Sequence, residues 1–234
     1  MSIKMQVITD VAFNENVTKV IKHSFKKTID VQFGIYKGYT ENGYQRAYDG
    51  WLTINLKPSS GWKDWFINLF AIPKKILCYG CIHRGYWKEC LKWWDNADKY
   101  GASIHNIIYG NEQLNAARKK GVIIAGRSKG AAEAVIIAWL FNAYHYCSGI
   151  PILVGAIEPP MMCSADFARA MENELGADNI HWTSYNNDIV TGLPRWFTVP
   201  GVKHQYYKRG LGLSFKDHRI ATTHYELMKS WAGF

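Results

Sequence analysis

Ser128 lies at the centre of Gly126-Arg127-Ser128-Lys129-Gly130, between the apolar run Val122-Ile123-Ile124-Ala125 and an apolar stretch from Ala131 to Tyr144. A Gly-x-Ser-x-Gly pentapeptide at a sharp strand-to-helix turn is a nucleophile elbow. Its glycines leave room for a strained backbone that lifts the serine hydroxyl above the sheet edge. The N-terminus of the following helix then aims amides at a reacting carbonyl and favours negative charge there. Because a serine hydroxyl is a weak nucleophile near neutral pH, this chemistry also demands a histidine base and an acid to fix that histidine's tautomer.

Two plainer readings compete. Gly121 to Ser128 is one substitution from a phosphate-binding loop, which would place Lys before the Ser. The intervening Val-Ile-Ile-Ala suits a buried strand and not a loop wrapped round phosphates. The other reading is an ordinary strand–turn–helix with a surface serine.

Asp188, in Tyr185-Asn186-Asn187-Asp188-Ile189-Val190, lies just beyond Ile180 to Tyr185, which reads as a strand. An acid carried on a loop after a later strand belongs there. His204, His218 and His224 are the downstream candidates for the base. Asp217-His218 marks a loop-to-helix boundary from which an imidazole can overhang the sheet edge, so His218 is preferred and His224 is the alternative. His224 falls inside the last helical stretch, and His204 in an aromatic, basic loop.

The elements that must position these residues alternate. Ile29 to Tyr36 and Ala47 to Leu56 read as strands of an antiparallel hairpin, flanked by Gly38 and Glu41-Asn42-Gly43. Trp62 to Phe70 has helical spacing and stops at Pro73. Ile76 to Ile82 is a short strand, followed by helical stretches Trp87 to Tyr100 and Ile104 to Lys119. Then come strand Val122 to Ala125, the helix from Ala131, strand Ile152 to Ile157, helix Ala165 to Leu175, strand Ile180 to Tyr185 and a last helix over Arg219 to Trp231. Strands alternating with helices after an antiparallel start imply an α/β layered fold with a mostly parallel sheet. No linker, repeat or low-complexity segment divides the 234 residues, so 1–234 reads as one domain.

The start of the chain lacks the pattern of a signal peptide, and no apolar stretch approaches eighteen residues, so a cytoplasmic protein is expected. The five cysteines, Cys78, Cys81, Cys90, Cys147 and Cys163, read as reduced, buried thiols. Cys78, Cys81, His83 and Cys90 offer zinc-ligand types, but the spacing fits no zinc motif, and no metal or organic cofactor is expected. The +9 charge is dispersed in small groups such as Lys22-Lys26-Lys27, Lys74-Lys75 and Arg118-Lys119-Lys120. A solvated basic surface, suited to an anionic membrane, fits this dispersal better than a nucleic-acid footprint. Trp62, Trp65, Phe66 and Phe70, and again Tyr86, Trp87, Trp93 and Trp94, form aromatic clusters that suit a core or an apolar substrate groove. Nothing in the sequence bears on oligomeric state.

Several motifs in order resemble the class 3, or fungal-type, lipases of the α/β-hydrolase fold, over about residues 47 to 225. Gly126-Arg127-Ser128-Lys129-Gly130-Ala131 is similar to that family's Gly-His-Ser-Leu-Gly-Gly elbow. Asn187-Asp188-Ile189-Val190 with Leu193-Pro194 is similar to its Asn-Asp-Pro-Val and Leu-Pro acid loop. Ile82-His83-Arg84-Gly85-Tyr86 resembles its Val-His-x-Gly-Phe segment, and Glu158-Pro159-Pro160 with Phe167-Ala168 its Gly-Ser-Pro stretch. The resemblance implies an oxyanion loop at Leu56-Lys57-Pro58-Ser59 followed by Asp64-Trp65. It also implies that Ser59 and the amide of Lys129 are the oxyanion donors. The chain departs from the family at Pro58, Arg127, Lys129 and Ala131.

The expected activity is therefore serine-dependent cleavage of a carboxylic ester with an acyl-lipid-like substrate, through an acyl-enzyme on Ser128 with His218 and Asp188. The rivals are a catalytically inactive binding protein that keeps the fold, and a basic module that binds nucleic acid or a membrane surface.

Overall fold

The computed structural model describes residues 3–25, 29–38, 45–58, 72–95, 103–144, 147–206, 214 and 216–218. Its centre is a seven-stranded sheet of order β1-β2-β3-β6-β7-β8-β9. These strands are β1 (Val17–Phe25), β2 (Ile29–Tyr36), β3 (Leu52–Pro58), β6 (Val122–Arg127), β7 (Ile152–Ile157), β8 (Ile180–Tyr185) and β9 (Val202–Tyr206). The pairs from β3 onwards are parallel, whereas β1–β2 and β2–β3 are antiparallel. This is the mostly parallel α/β architecture with an antiparallel N-terminal hairpin.

The unbroken apolar run of β6 follows from its burial on both faces. Ile123 and Ala125 pack with Leu153 and Ile157 of β7 against Met5, Ile8 and Val11 of α1 (Ile3–Phe13). Val122 and Ile124, with Ile152 and Val154, join the larger core on the opposite face. That core includes the helices α2 (Arg84–Asp95), α3 (Ile104–Gly110), α4 (Glu112–Lys120), α5 (Lys129–Ala143) and α6 (Ala165–Leu175). The result is three layers, with α5 buried from Lys129 to Phe141 because α2 and α6 also pack on it. A Cβ at Gly155 would come within 2.0 Å of Ile8 Cγ2, so only glycine in β7 lets α1 approach this closely. Polar ties hold α1 in register: the Tyr36 hydroxyl and Asn16 amide donate to Asp10 Oδ2 at 2.8 and 3.2 Å, and the Asn55 amide donates to the Ala12 carbonyl at 3.2 Å.

Three expected elements are corrected. Ile76 to Ile82 is not one strand but a hairpin of β4 (Pro73–Ile76) and β5 (Gly80–His83), turned through Leu77 at φ 39° and Gly80 at φ 114°. Tyr79-Gly80, with a residue free to take a positive φ, is the turn signal that a strand reading overlooks. Ile104 to Lys119 breaks at Asn111, which adopts an extended conformation and accepts a hydrogen bond from the Leu114 amide, capping α4. The strand expected from Ala47 begins only at Leu52, since Gln45–Tyr48 is a short 3-10 turn.

The thiols are also less uniformly buried than expected. Cys90, Cys147 and Cys163 are buried, but Cys78 is exposed at the hairpin turn and Cys81 is half-buried; all are free. Arg118, read as surface, is buried to 8% exposure, with its guanidinium 4.6 Å from the Tyr109 ring. Among the described residues, no helix is long and apolar enough to cross a membrane. The helices expected over Trp62 to Phe70 and Arg219 to Trp231 lie outside the described residues.

Candidate active site

At the end of β6, the chain turns into α5 through Ser128, which adopts φ 55° and ψ −127°. A non-glycine residue at positive φ is uncommon and strained, so the surrounding contacts must hold it there. The Ser128 amide donates to the Ile157 carbonyl at 2.9 Å, extending the β6–β7 ladder by one bond, and the Ala131 amide donates to the Ser128 carbonyl at 2.9 Å. Gly126 allows the closure: a Cβ there would lie 2.2 Å from the Gly130 carbonyl oxygen and 2.4 Å from its carbon. Those are backbone atoms of the helix N-terminus and cannot swing aside. Gly126→Ala should therefore lower stability by about 3 kcal/mol or more, or prevent folding, read as a fall in denaturant midpoint or in soluble yield. A soluble Gly126→Ala protein with an unchanged midpoint would contradict this packing.

Of the residues flanking the serine, Arg127 is half-buried and Lys129 is buried. The Arg127 guanidinium lies 4.6 Å from the Phe13 ring, so α1 backs the elbow. Lys129 is 2% exposed, and its ammonium pairs with Glu89 of α2 and lies 3.7 Å from Glu133 one turn along α5. Burial opposes the Lys129 charge, but Glu133 and Glu89 outweigh it and raise the pKa. Burial also holds the fully enclosed Glu133 carboxyl well above the ordinary carboxylate range. The sequence showed a cation beside the serine. The structure shows an internal ion pair that fastens α2 to α5 and presents no charge to the hydroxyl.

Asp188 sits in the loop after β8 and is 5% exposed. Its amide donates to the Tyr185 carbonyl at 3.0 Å, its Oδ1 accepts the Val190 amide at 2.7 Å, and the Thr191 hydroxyl donates to its carbonyl at 3.1 Å. The described part of the histidine-bearing segment is fastened to this loop. Ser214 bridges to Asp188 and donates its amide to the Asn187 carbonyl at 2.8 Å. The Ser214 hydroxyl accepts the Asp217 amide at 3.1 Å, and the Asn186 side chain donates to Asp217 Oδ2 at 2.9 Å. His218 follows directly. Its Nδ1 is 2.6 Å from Asp188 Oδ2, and its Nε2 is 2.8 Å from Ser128 Oγ. Burial pushes the imidazole down to about 4, toward the neutral form that can accept a proton.

The structure thus brings Ser128, His218 and Asp188 into one hydrogen-bonded line. His204 is elsewhere, on β9, with its Nε2 3.0 Å from His181 Nδ1. Ser59 and His224 lie outside the described residues. Lys129 opens α5, whose first-turn amides have no carbonyl partner within the helix. Among the described residues, no group of three His, Cys, Asp or Glu side chains is arranged to hold a metal ion. Sequence reasoning missed the fixing roles of Asn186, Ser214 and Asp217. It also missed fully buried Glu158, although an acid at the end of an apolar strand was a visible signal.

The lipase (class 3) family matches residues 6–198. No curated protein sequence matches the chain. Among solved structures, a triacylglycerol lipase described as having a serine protease triad at its catalytic centre is similar with a TM-score of 0.65 at 14% identity, over 93% of this chain and 88% of that one. A lipase of Rhizopus microsporus var. chinensis is similar with a TM-score of 0.62 at 14% identity, over 87% of this chain and 73% of that one. A Rhizomucor miehei lipase–propeptide complex is similar with a TM-score of 0.61 at 15% identity, over 89% and 66%. At such identities the likeness is one of fold, the α/β-hydrolase fold.

Proposed function

From the premise that the chain belongs to the class 3 lipase family and is a serine carboxylic ester hydrolase, we propose that it cleaves acyl-lipid-like esters through an acyl-enzyme on Ser128. The observation that most supports this is the unbroken line from Asp188 through His218 to Ser128 at a strained elbow. Asp188 holds the His218 tautomer that carries hydrogen on Nδ1, leaving the Nε2 lone pair to face the serine hydroxyl. As Ser128 Oγ bonds to the ester carbonyl carbon, its proton passes to Nε2 and the carbonyl oxygen becomes an oxyanion. The ester C–O bond then breaks, and the leaving alcohol takes that proton. Water, deprotonated in turn by His218, attacks the acyl-enzyme and releases the acid.

The amide of Lys129 holds the oxyanion together with Ser59, and each such donor contributes about 3 kcal/mol to the transition state. Residues 1–234 act as one domain in this reading, since α1 backs the elbow and His218 completes the set. Exposed Ile72 and Leu77 beside Lys74, Lys75, Arg84 and Lys88 support an anionic lipid surface as the place where substrate is met. The engagement of the half-buried Arg127 with the Phe13 ring, and of buried Lys129 with Glu89, disfavours an inactive, merely binding role, because these departures from the family pattern have partners other than the hydroxyl.

A fluorophosphonate probe tests the reading. Peptide mapping should find the label on Ser128 alone, and a label on another serine, or none on folded protein, would remove it. Asp188→Asn should lower turnover about 10⁴-fold, because an amide in place of the carboxylate favours the wrong histidine tautomer. Steady-state hydrolysis of a soluble ester measures this, and a loss under tenfold would place the acid elsewhere.

A further inference from the structure

Ser128 and Lys129 share one planar peptide unit, whose carbonyl belongs to Ser128 and whose N–H belongs to Lys129. The ψ of −127° at Ser128 sets the tilt of that plane, and so the direction in which the Lys129 N–H points. Strain at Ser128 would relax by turning the plane unless both of its ends were held. The carbonyl end is held by the Ala131 amide at 2.9 Å. At the other end the usual device is missing: Ser128 stands at the N-cap of α5, but its side chain makes no capping hydrogen bond and its hydroxyl faces His218 instead. The Lys129 side chain supplies a different tie. Buried to 2% exposure, it reaches α2, where its ammonium pairs with Glu89, and it lies 3.7 Å from Glu133 Oε1 within α5. The same two helices are joined again where the Cys90 thiol donates to the Glu133 carbonyl at 3.8 Å. A buried ion pair adds little to stability, since apolar side chains of similar volume often do as well or better in its place. What it does supply is direction, because an ammonium in a dry interior has to stay against its carboxylates.

We propose that the Lys129 side chain has a positioning role: clamped to Glu89 of α2 and Glu133 of α5, it fixes the Ser128–Lys129 peptide so that the Lys129 N–H meets the oxyanion as it forms. This rests on the reading of Ser128 as nucleophile and of the Lys129 amide as oxyanion donor given above. The ester carbonyl of the bound substrate carries little charge, so the clamp serves the transition state and not substrate binding. Removing an oxyanion donor outright costs about 10²- to 10³-fold in turnover, and loosening one that stays in place costs less, roughly 10- to 100-fold.

The test compares kcat, KM and the affinity of a trifluoromethyl ketone, which adds to Ser128 and leaves a negative oxygen in the place of the oxyanion. Lys129→Met combined with Glu89→Met and Glu133→Gln removes the three charges at similar volume. The denaturant midpoint of this triple variant should equal or exceed that of wild type. Its kcat on a soluble ester should nevertheless fall roughly 10- to 100-fold with KM within about twofold, and the ketone should bind more weakly by the same factor. A side chain that only stabilises the fold would leave kcat unchanged in an intact protein, and that result would overturn the proposal. So would a fall in kcat without the matching loss of ketone affinity. If the triple variant does not fold, Glu89→Ala decides, because it frees Lys129 from α2 at the half-buried end of the pair. Its kcat should fall about tenfold at constant KM, and an unchanged kcat would overturn the proposal. Failure of the catalytic reading looks different, since wild type would then form no ketone adduct at Ser128.

Discussion

Replacing Ser128 by alanine should lower ester turnover by about 10⁶-fold, to the level that binding and oxyanion stabilisation sustain without a nucleophile. The fold should survive. The hydroxyl contacts His218, and the bonds that shape the elbow are made by the Ser128 backbone amide and carbonyl, which alanine retains. The assay is hydrolysis of a chromogenic ester, with circular dichroism and a denaturant midpoint to show that the protein is intact. Turnover within a hundredfold of wild type in an intact protein would mean that the attacking atom belongs to another residue.

His218→Ala should be as damaging, again about 10⁶-fold, because serine and base act as a unit and the loss of either forfeits most of what both supply. His204→Ala provides the contrast. It removes a side chain bonded to His181 on the neighbouring strand, so turnover should stay near wild type while stability declines modestly. If the two variants exchanged phenotypes, the line from Ser128 to Asp188 would not be the working one.

The elbow was legible in the sequence because its information is local: an apolar strand, two glycines two residues either side of a serine, and an apolar helix are contiguous. Asp188 was legible for the same reason, lying just past a strand, Ile180–Tyr185, whose aromatic and β-branched residues are contiguous with it. Preference for His218 over His204 came from its place at an element boundary, and the structure brings His218 to the serine. Much of the rest was hidden. Helix α1 is apolar nearly all round, since it is covered by the sheet, and so carries no polar stripe to betray a helical period. In β1 the register shifts between Lys19 and Ile21, which breaks the alternation that marks a strand. Strand β9, Val202–Tyr206, is short and polar, and among the described residues it forms the sheet edge. The pairing of Lys129 with Glu89 could not be seen at all, since it joins two helices far apart in the chain.

The three side chains of the site lie far apart along the polypeptide: Ser128 and His218 are separated by 90 residues, and Asp188 and His218 by 30. Closing loops of that length costs entropy that no local contact repays, so the constellation can form only after β6, β7 and β8 have aligned and the segment at Ser214 has docked on the acid loop. Recovery of ester cleavage during refolding is therefore a clock for the last stage of assembly. It should lag behind the return of helical ellipticity, which reports the early, local structure of helices such as α5 and α6.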